Sequence, residues 1–253
     1  MSYVRLIPSL SLKDERIVKT VKFDEYRDVG APASMGKVFD SQDVDELIFS
    51  DISASQEGRE PDWKSIEKFA DECSMPLTMG GGISSVKVIE KYLDIGADKV
   101  TVNSHAVDNK KFLTVAASTF GTQCIVVSID AFKSPDGDYE VLTKGGFEKT
   151  GLLPWDWAKE CEELGAGEIL LSSINQDGTM EGFDLNLINK VCEAVKIPVI
   201  ANSGAGLLYD LIEVCEHTSA SAIACSSIFA FTDNKPVKAK AFLDDNGVKT
   251  RPL

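Results

Sequence analysis

Histidine is nearly missing from this chain: His105 and His217 are the only two among 253 residues. So small a supply argues against a histidine-based metal site or a serine–histidine relay. His105, just after "TVNS", reads as a packing or helix-capping residue. The six cysteines (Cys73, Cys124, Cys161, Cys192, Cys215, Cys225) include no CxxC pair, which excludes a zinc ribbon or a spaced disulfide framework and predicts reduced thiols. No motif calls for a metal or a cofactor. Long hydrophobic runs are also lacking, so no transmembrane helix is expected. The start "MSYVRLIPSL" has no basic region followed by a long apolar stretch, and a cytoplasmic location is the expectation. Basic residues are outnumbered 40 to 26, for a formal net charge of −14, which disfavours nucleic acid and anionic membranes as partners. A phosphorylated metabolite stays admissible, because backbone amides bind phosphate locally whatever the global charge. No low-complexity tract or Pro/Gly linker divides the chain, so one domain over residues 1–253 is expected.

What is present is an alternation of short β-branched runs with helical stretches, the pattern of parallel βα units. The runs are Arg5–Ser11, Glu46–Asp51, Pro76–Gly81, Lys99–Asn103, Cys124–Asp130, Glu168–Ser173, Pro198–Asn202 and Ala222–Ser226. Eight runs in a chain of this length fit a single (β/α)8 TIM barrel, typically about 250 residues. A doubly wound open sheet shares the local pattern. Internal repetition favours the barrel: "DELIFSDISASQEG" resembles "GEILLSSINQDG", and "MPLTMGGGISS" resembles "IPVIANSGAGLL". Both alignments, Glu46 with Glu168 and Gly82 with Gly204, are offset by 122 residues. Two half-barrels of four βα units each are the simplest account.

Chemistry in such barrels lies at the C-terminal ends of the strands. There the sequence places two sets of small, amide-exposing turns. The first holds Gly80, Gly81 and Gly82, then Asn103 and Ser104. The second holds "DGT" at Asp177–Thr179, "SGAG" at Ser203–Gly206 and "CSS" at Cys225–Ser227, with Asp177, Gly178, Gly204, Ser226 and Ser227 as the candidate phosphate-binding residues. Glycine lets backbone N–H groups approach an anion closely. Two such sets predict a ligand with a phosphate at each end. At the opposite ends of the strands sit Arg5, Glu46, Lys99 and Glu168. Strand alternation places each on the face that also carries polar residues at the top, such as Ser9, Ser11, Ser50, Asn103 and Ser172. Two positive and two negative side chains neutralise one another, predicting a charged ring that closes the barrel floor. Such an interior suits passage of a small neutral molecule.

Blocks along the whole chain resemble the cyclase subunit family of imidazole glycerol phosphate synthase: "IPSLSLKDERIVK", "DELIFSDISASQEGR", "PLTMGGGISS", "GADKV", "GTQCIVVSIDA", "GAGEILLSSINQDGT" and "IPVIANSGAG". The resemblance implies a glutaminase partner docked at the barrel bottom, ammonia passing a salt-bridge gate made by Arg5, Glu46, Lys99 and Glu168, and a bisphosphorylated ribonucleotide at the mouth. It implies that Asp98 lies at the partner interface and Lys19 in the flexible loop after strand 1. It also implies two catalytic carboxylates. One is present as Asp130. The other position holds Ser11, whose hydroxyl is far too weak a base at neutral pH, and loss of a general acid/base costs about 10² to 10⁴ in rate. Ser9, Glu15, Thr20 and the Asn202–Ser203 pair also depart from the family's usual residues.

Together with the "VKTVKF" and "EGREPDW" blocks, these departures resemble a side branch of the family. Its members work with a glutaminase and a separate sugar amidotransferase to build acetamidino groups on surface polysaccharides. A conduit subunit of that kind is the favoured expectation. A working cyclase of histidine biosynthesis is the alternative, and an Amadori isomerase with the same half-barrel repeat is a third. Of the remainder, Trp155 and Trp157 fit the start of a helix, "FKSPDGDYEVLTKGG" reads as a polar hairpin with Lys144 to Gly146 near the mouth, and "DDNGVKTRPL" reads as a surface tail.

Overall fold

A computed structural model describes residues 3–42 and 44–251. Its strands are β1 (Arg5–Lys13), β2 (Arg16–Val21), β3 (Asp24–Gly30), β4 (Leu47–Asp51), β5 (Leu77–Gly80), β6 (Lys99–Val102), β7 (Ile125–Lys133), β8 (Tyr139–Thr143), β9 (Glu148–Lys149), β10 (Glu168–Ser173), β11 (Val199–Asn202) and β12 (Ala222–Cys225). Eight of them pair in parallel around a closed ring in the order β1, β4, β5, β6, β7, β10, β11, β12 and back to β1. Each of the eight expected runs supplies one of these strands. The β12–β1 and β7–β10 pairings close the sheet and exclude the open, doubly wound alternative. In this ring β1 and β7 stand diametrically opposite each other.

The half-barrel repeat extends to how the helices start. Each half opens with a strand, an antiparallel hairpin and then a helix begun by proline: Pro32–Asp40 in the first half, Pro154–Leu164 in the second. Proline suits that first turn because its missing N–H would have no partner there anyway. The helices Trp63–Ala70 and Leu185–Ala194 are capped by Asp62 and Asp184, whose carboxylates accept from the Ser65 and Leu187 amides at 3.2 and 3.0 Å. Pro32 and Pro154, like Asp62 and Asp184, are 122 residues apart, the same offset as the strand motifs.

Alternation along the strands divides the core. Residues such as Leu6, Leu47, Phe49 and Ile169 point outward to the helix layer, where Phe49 stacks on Phe69 with ring centroids 4.0 Å apart. The inward positions form a separate small cluster of Ile7, Ile48, Val126, Leu170, Ile200, Ala222 and Ala224. No helix among the described residues is long and apolar enough to cross a membrane.

Three expectations are corrected. The segment after strand 1 is not a flexible loop: β1 runs on to Lys13 and folds back as the β2–β3 hairpin, with Lys19 buried in β2. Both hairpin turns place non-glycine pairs at positive φ, Asp14–Glu15 at 49° and 59° and Lys22–Phe23 at 54° and 62°, so the usual Asn-Gly signal is missing. The second hairpin is less polar than expected, since Tyr139, Val141 and Leu142 of β8 are buried. The C-terminal segment is no free tail as far as Thr250: the Val4 amide donates to the Lys249 carbonyl at 2.9 Å, and the buried Thr250 is bonded to Asp244. Pro252 and Leu253 lie outside the described residues.

Candidate active site

At the barrel floor the four expected charges meet. Arg5 donates to Glu46 at 2.7 Å and also to Glu168, and Lys99 Nζ lies 3.1 Å from Glu46 and 2.9 Å from Glu168. Each cation therefore bridges both anions, and the ring is neutral. The Thr78 hydroxyl adds a 2.6 Å hydrogen bond to Glu46. Burial opposes the charge on Glu46, but Lys99, Thr78 and Arg5 together outweigh it and hold its carboxyl below the usual range. The glutamate side chains are almost wholly buried, whereas Arg5 and Lys99 keep about a quarter of their surface exposed. The cations thus carry the ring's exposed surface, and the carboxylates lie buried against them. Asp98 is exposed beside it, accepting the Leu77 amide at 2.8 Å. Asp45 does the same for the Leu6 amide at 3.1 Å and pairs with the buried Lys240 at 3.0 Å.

Directly above the ring comes an apolar layer that includes Ile7, Ile48, Val126, Leu170 and Ile200, with Thr78 and Thr101 beside it; Thr101 Oγ1 is buried without a partner, and Ser9, Ser50, Ser128 and Ser172 line the cavity higher up. A charged species crossing this layer would lose hydration with few polar groups to replace it. A small neutral molecule bears no such cost.

The top of the barrel holds a cavity of about 190 Å³. Most of the expected mouth residues line it: Ser11, Lys19, Gly81, Gly82, Asn103, Ser104, Asp130, Gly145, Asp177, Gly178, Gly204, Ser226 and Ser227, whereas Gly80, Lys144 and Gly146 do not. Asp130, on β7, receives a 2.6 Å hydrogen bond from the Asn103 side-chain amide. Burial pushes its carboxyl up to about 7, with Asn103 opposing the rise and Asp177 adding to it. A carboxyl balanced there can give or take a proton near neutral pH. Ser11 faces it from β1, beside Ser50 of β4.

Two further carboxylates line the cavity, and both are committed. Asp51 accepts from the Ser53, Ala54 and Asp62 amides and pairs with Arg59 at 2.8 Å. Asp177 takes Lys19 at 2.5 Å, the Thr20 hydroxyl at 2.5 Å and the Phe23 amide at 3.3 Å. It anchors the β2–β3 hairpin over the mouth. Gly178 belongs to the same joint, since a Cβ there would lie 2.1 Å from the Thr20 carbonyl oxygen. Among the described carboxyls lining the mouth, Asp130 is the one with no cation paired to it.

The two sets of turns differ in detail. In the first, the Gly82 amide donates to the Ser55 hydroxyl at 3.2 Å, and Ser104 Oγ accepts the Lys144 amide at 3.0 Å. In the second, the Gly206 and Leu207 amides both go to Asp210 at 2.8 Å. His105 lines the cavity with its ring packed edge-on against Phe112, in keeping with a packing role. Phe23, Tyr26, Gln56 and Ser203 also line the mouth. Sequence reading did not select Phe23 and Tyr26, because their hairpin carries no motif, whereas Gln56 and Ser203 lie in the repeat and in the "SGAG" turn already noted.

This joining of a charged floor, an apolar axis and a mouth built on two repeated turns agrees with the comparison to known sequences. The profile of the family described as "Histidine biosynthesis protein" matches residues 5–233. The chain belongs to that family. It is 44% identical over 248 residues to the imidazole glycerol phosphate synthase subunit HisF of Lactococcus lactis subsp. lactis (strain IL1403), covering 98% of this chain and 96% of the relative. The proteins of the same description from the cremoris strains SK11 and MG1363 are 44% and 43% identical over the same span.

Proposed function

We propose that this chain is a HisF-like synthase subunit of a glutamine-dependent amidotransferase. It takes ammonia from a glutaminase subunit docked under the floor and delivers it along the barrel axis to a phosphorylated ligand at the mouth. The observation that carries this reading is the neutral ring of Arg5, Glu46, Lys99 and Glu168. Its charges cancel at the floor, and the apolar layer above it suits neutral NH₃ better than an ion. In this reading Asp98, exposed next to Lys99, meets the partner. The glycine and serine turns hold the phosphates, and where ammonia reacts at the mouth Asp130 supplies or removes protons. No metal or cofactor enters this chemistry.

The acceptor has two readings. The relatives' name favours imidazole glycerol phosphate formation in histidine biosynthesis, in which the ribulosyl-formimino ligand yields that product and an aminoimidazole ribotide. Ser11 favours a conduit role in amidino-sugar synthesis with a sugar amidotransferase, because ring closure needs an acid and a base and the mouth offers one free carboxyl. We favour the conduit. The test is turnover of the ribulosyl-formimino ligand with ammonium salts alone, comparing the parent chain with Ser11→Asp. The conduit reading expects scarcely detectable product from the parent and a gain of about 10² or more on restoring the carboxylate. Robust turnover by the parent, unchanged in S11D, would establish the cyclase instead.

A further inference from the structure

Ser203 carries two costs with no return inside the chain. Its φ of 82° lies in the region that favours glycine, which an L side chain enters only under constraint. Its side chain is buried, the residue being only 8% exposed, and its Oγ has no hydrogen-bond partner. A buried hydroxyl left unpaired is rare enough to need a reason. Packing is not the reason, since a methyl group would fill the same space without the desolvation.

Its half-barrel counterpart sharpens the point. Ser203 lies 122 residues after Gly81, which has a φ of 96°. A Cβ on Gly81 would sit 2.0 Å from the Asp51 carbonyl oxygen, so the first turn is closed to any side chain. The second turn admits one, and that side chain lines the mouth cavity. The two ends of the ligand site are therefore unequal. Around Ser203 other donors are already spent: the Asn202 side-chain amide donates to Ser172 at 3.0 Å, and Asp210 holds the Gly206 and Leu207 amides. Asn202 pairs with Ala224 across the β11–β12 ladder, which sets Ser203 beside the turn containing Ser226 and Ser227.

We infer that Ser203 is a ligand-contacting residue whose hydroxyl donates to an anionic phosphoryl oxygen at the second-half turn, making that end of the site the tighter of the two. This deepens the phosphate-binding part of the function proposed above and rests on it. The probe is inorganic phosphate, titrated into the full-length protein and followed by amide NMR. Gly204 and Ser227 signals report the second-half turn, and those of Gly82 and Ser104 the first. Ser203→Ala is expected to weaken binding at the second-half turn about tenfold, as for a lost hydrogen bond to a charged group, and to leave the first unchanged. Ser203→Gly is expected to weaken it equally while raising Tm by about 2–4 °C through relief of the backbone. Undiminished phosphate binding in S203A would overturn the inference and spare the phosphate site. A lower Tm in S203A would place the hydroxyl's partner inside the chain and overturn it too. Absence of phosphate shifts at both turns of the parent protein would overturn the phosphate reading itself, and the inference with it.

Discussion

Replacing Asp130 by asparagine isolates what it costs to keep one carboxyl buried at the barrel mouth. In the folded chain this group titrates near 7, chiefly because burial penalises its charge, with Asn103 opposing that rise and Asp177 adding to it. In the unfolded chain it titrates near its ordinary 3.8. Between those values the folded protein holds a proton that the unfolded chain has released. The neutral carboxyl is therefore tolerated in acid, and stability falls as pH rises through the range, levelling off above 7. At about 1.36 kcal/mol for each tenfold change in proton affinity, the full loss is on the order of 4 kcal/mol. Asparagine stays neutral at every pH and retains an oxygen for the Asn103 amide, now 2.6 Å away. Urea unfolding at several pH values should show Asp130→Asn more stable than the parent by about 4 kcal/mol at pH 8, with the gap narrowing to about 1–2 kcal/mol at pH 5. Because the net charge of −14 acts on both proteins, its effect largely cancels in the difference. Equal gaps at pH 5 and pH 8 would refute the reasoning, and an asparagine variant less stable than the parent at pH 8 would reverse it.

Two other outcomes follow from the same geometry. Asp177→Ala strands the buried Lys19 ammonium and frees the Thr20 hydroxyl and Phe23 amide, so the β2–β3 hairpin should lift from the mouth at a cost of about 3–5 kcal/mol. Limited trypsin digestion should then cut after Lys19, which is buried in the parent, and an unchanged digestion pattern would count against the anchor. Gly81→Ala meets both a φ of 96° and the Asp51 carbonyl oxygen 2.0 Å away, so a loss of at least about 3 kcal/mol is expected. Gly58→Ala, at φ 63° with open space around it, should lose only about 1 kcal/mol, and equal losses at the two glycines would contradict the steric account.

The barrel was legible in the sequence because its strands are buried on both faces and so read as short apolar runs at regular intervals. The 122-residue repeat then tied them into two halves. The floor ring was legible for a related reason: Arg5, Glu46, Lys99 and Glu168 each open an apolar run and share its inward parity. The hairpin after β1 was not legible. Its turns put Asp14, Glu15, Lys22 and Phe23 where glycine or asparagine usually marks a reversal, and its stability comes from a contact with Asp177 more than 150 residues away. Asp177 shows the limit of motif reading at the site as well. Its place in "DGT" marked an anion turn, but only the fold reveals that its carboxylate is taken by Lys19. The commitment of Asp51 to Arg59 is equally invisible in one dimension, yet it leaves Asp130 as the free carboxyl.

The most direct test of the central claim, that ammonia enters through the neutral ring and travels inside the barrel, is an isotope competition. The chain is assembled with a glutaminase subunit and supplied with glutamine labelled with ¹⁵N in its amide, unlabelled ammonium in the solvent, and the ribulosyl-formimino ligand. Ser11→Asp serves as the background if the parent is too slow. Mass spectrometry then reads the ¹⁵N content of the aminated product. An internal route predicts product carrying mostly the glutamine label, with Lys99→Met, which leaves Glu46 and Glu168 sharing Arg5 alone, drawing the label down toward the solvent ratio. Product at the solvent ratio with the ring intact, or full label retained in the Lys99 variant, would contradict it.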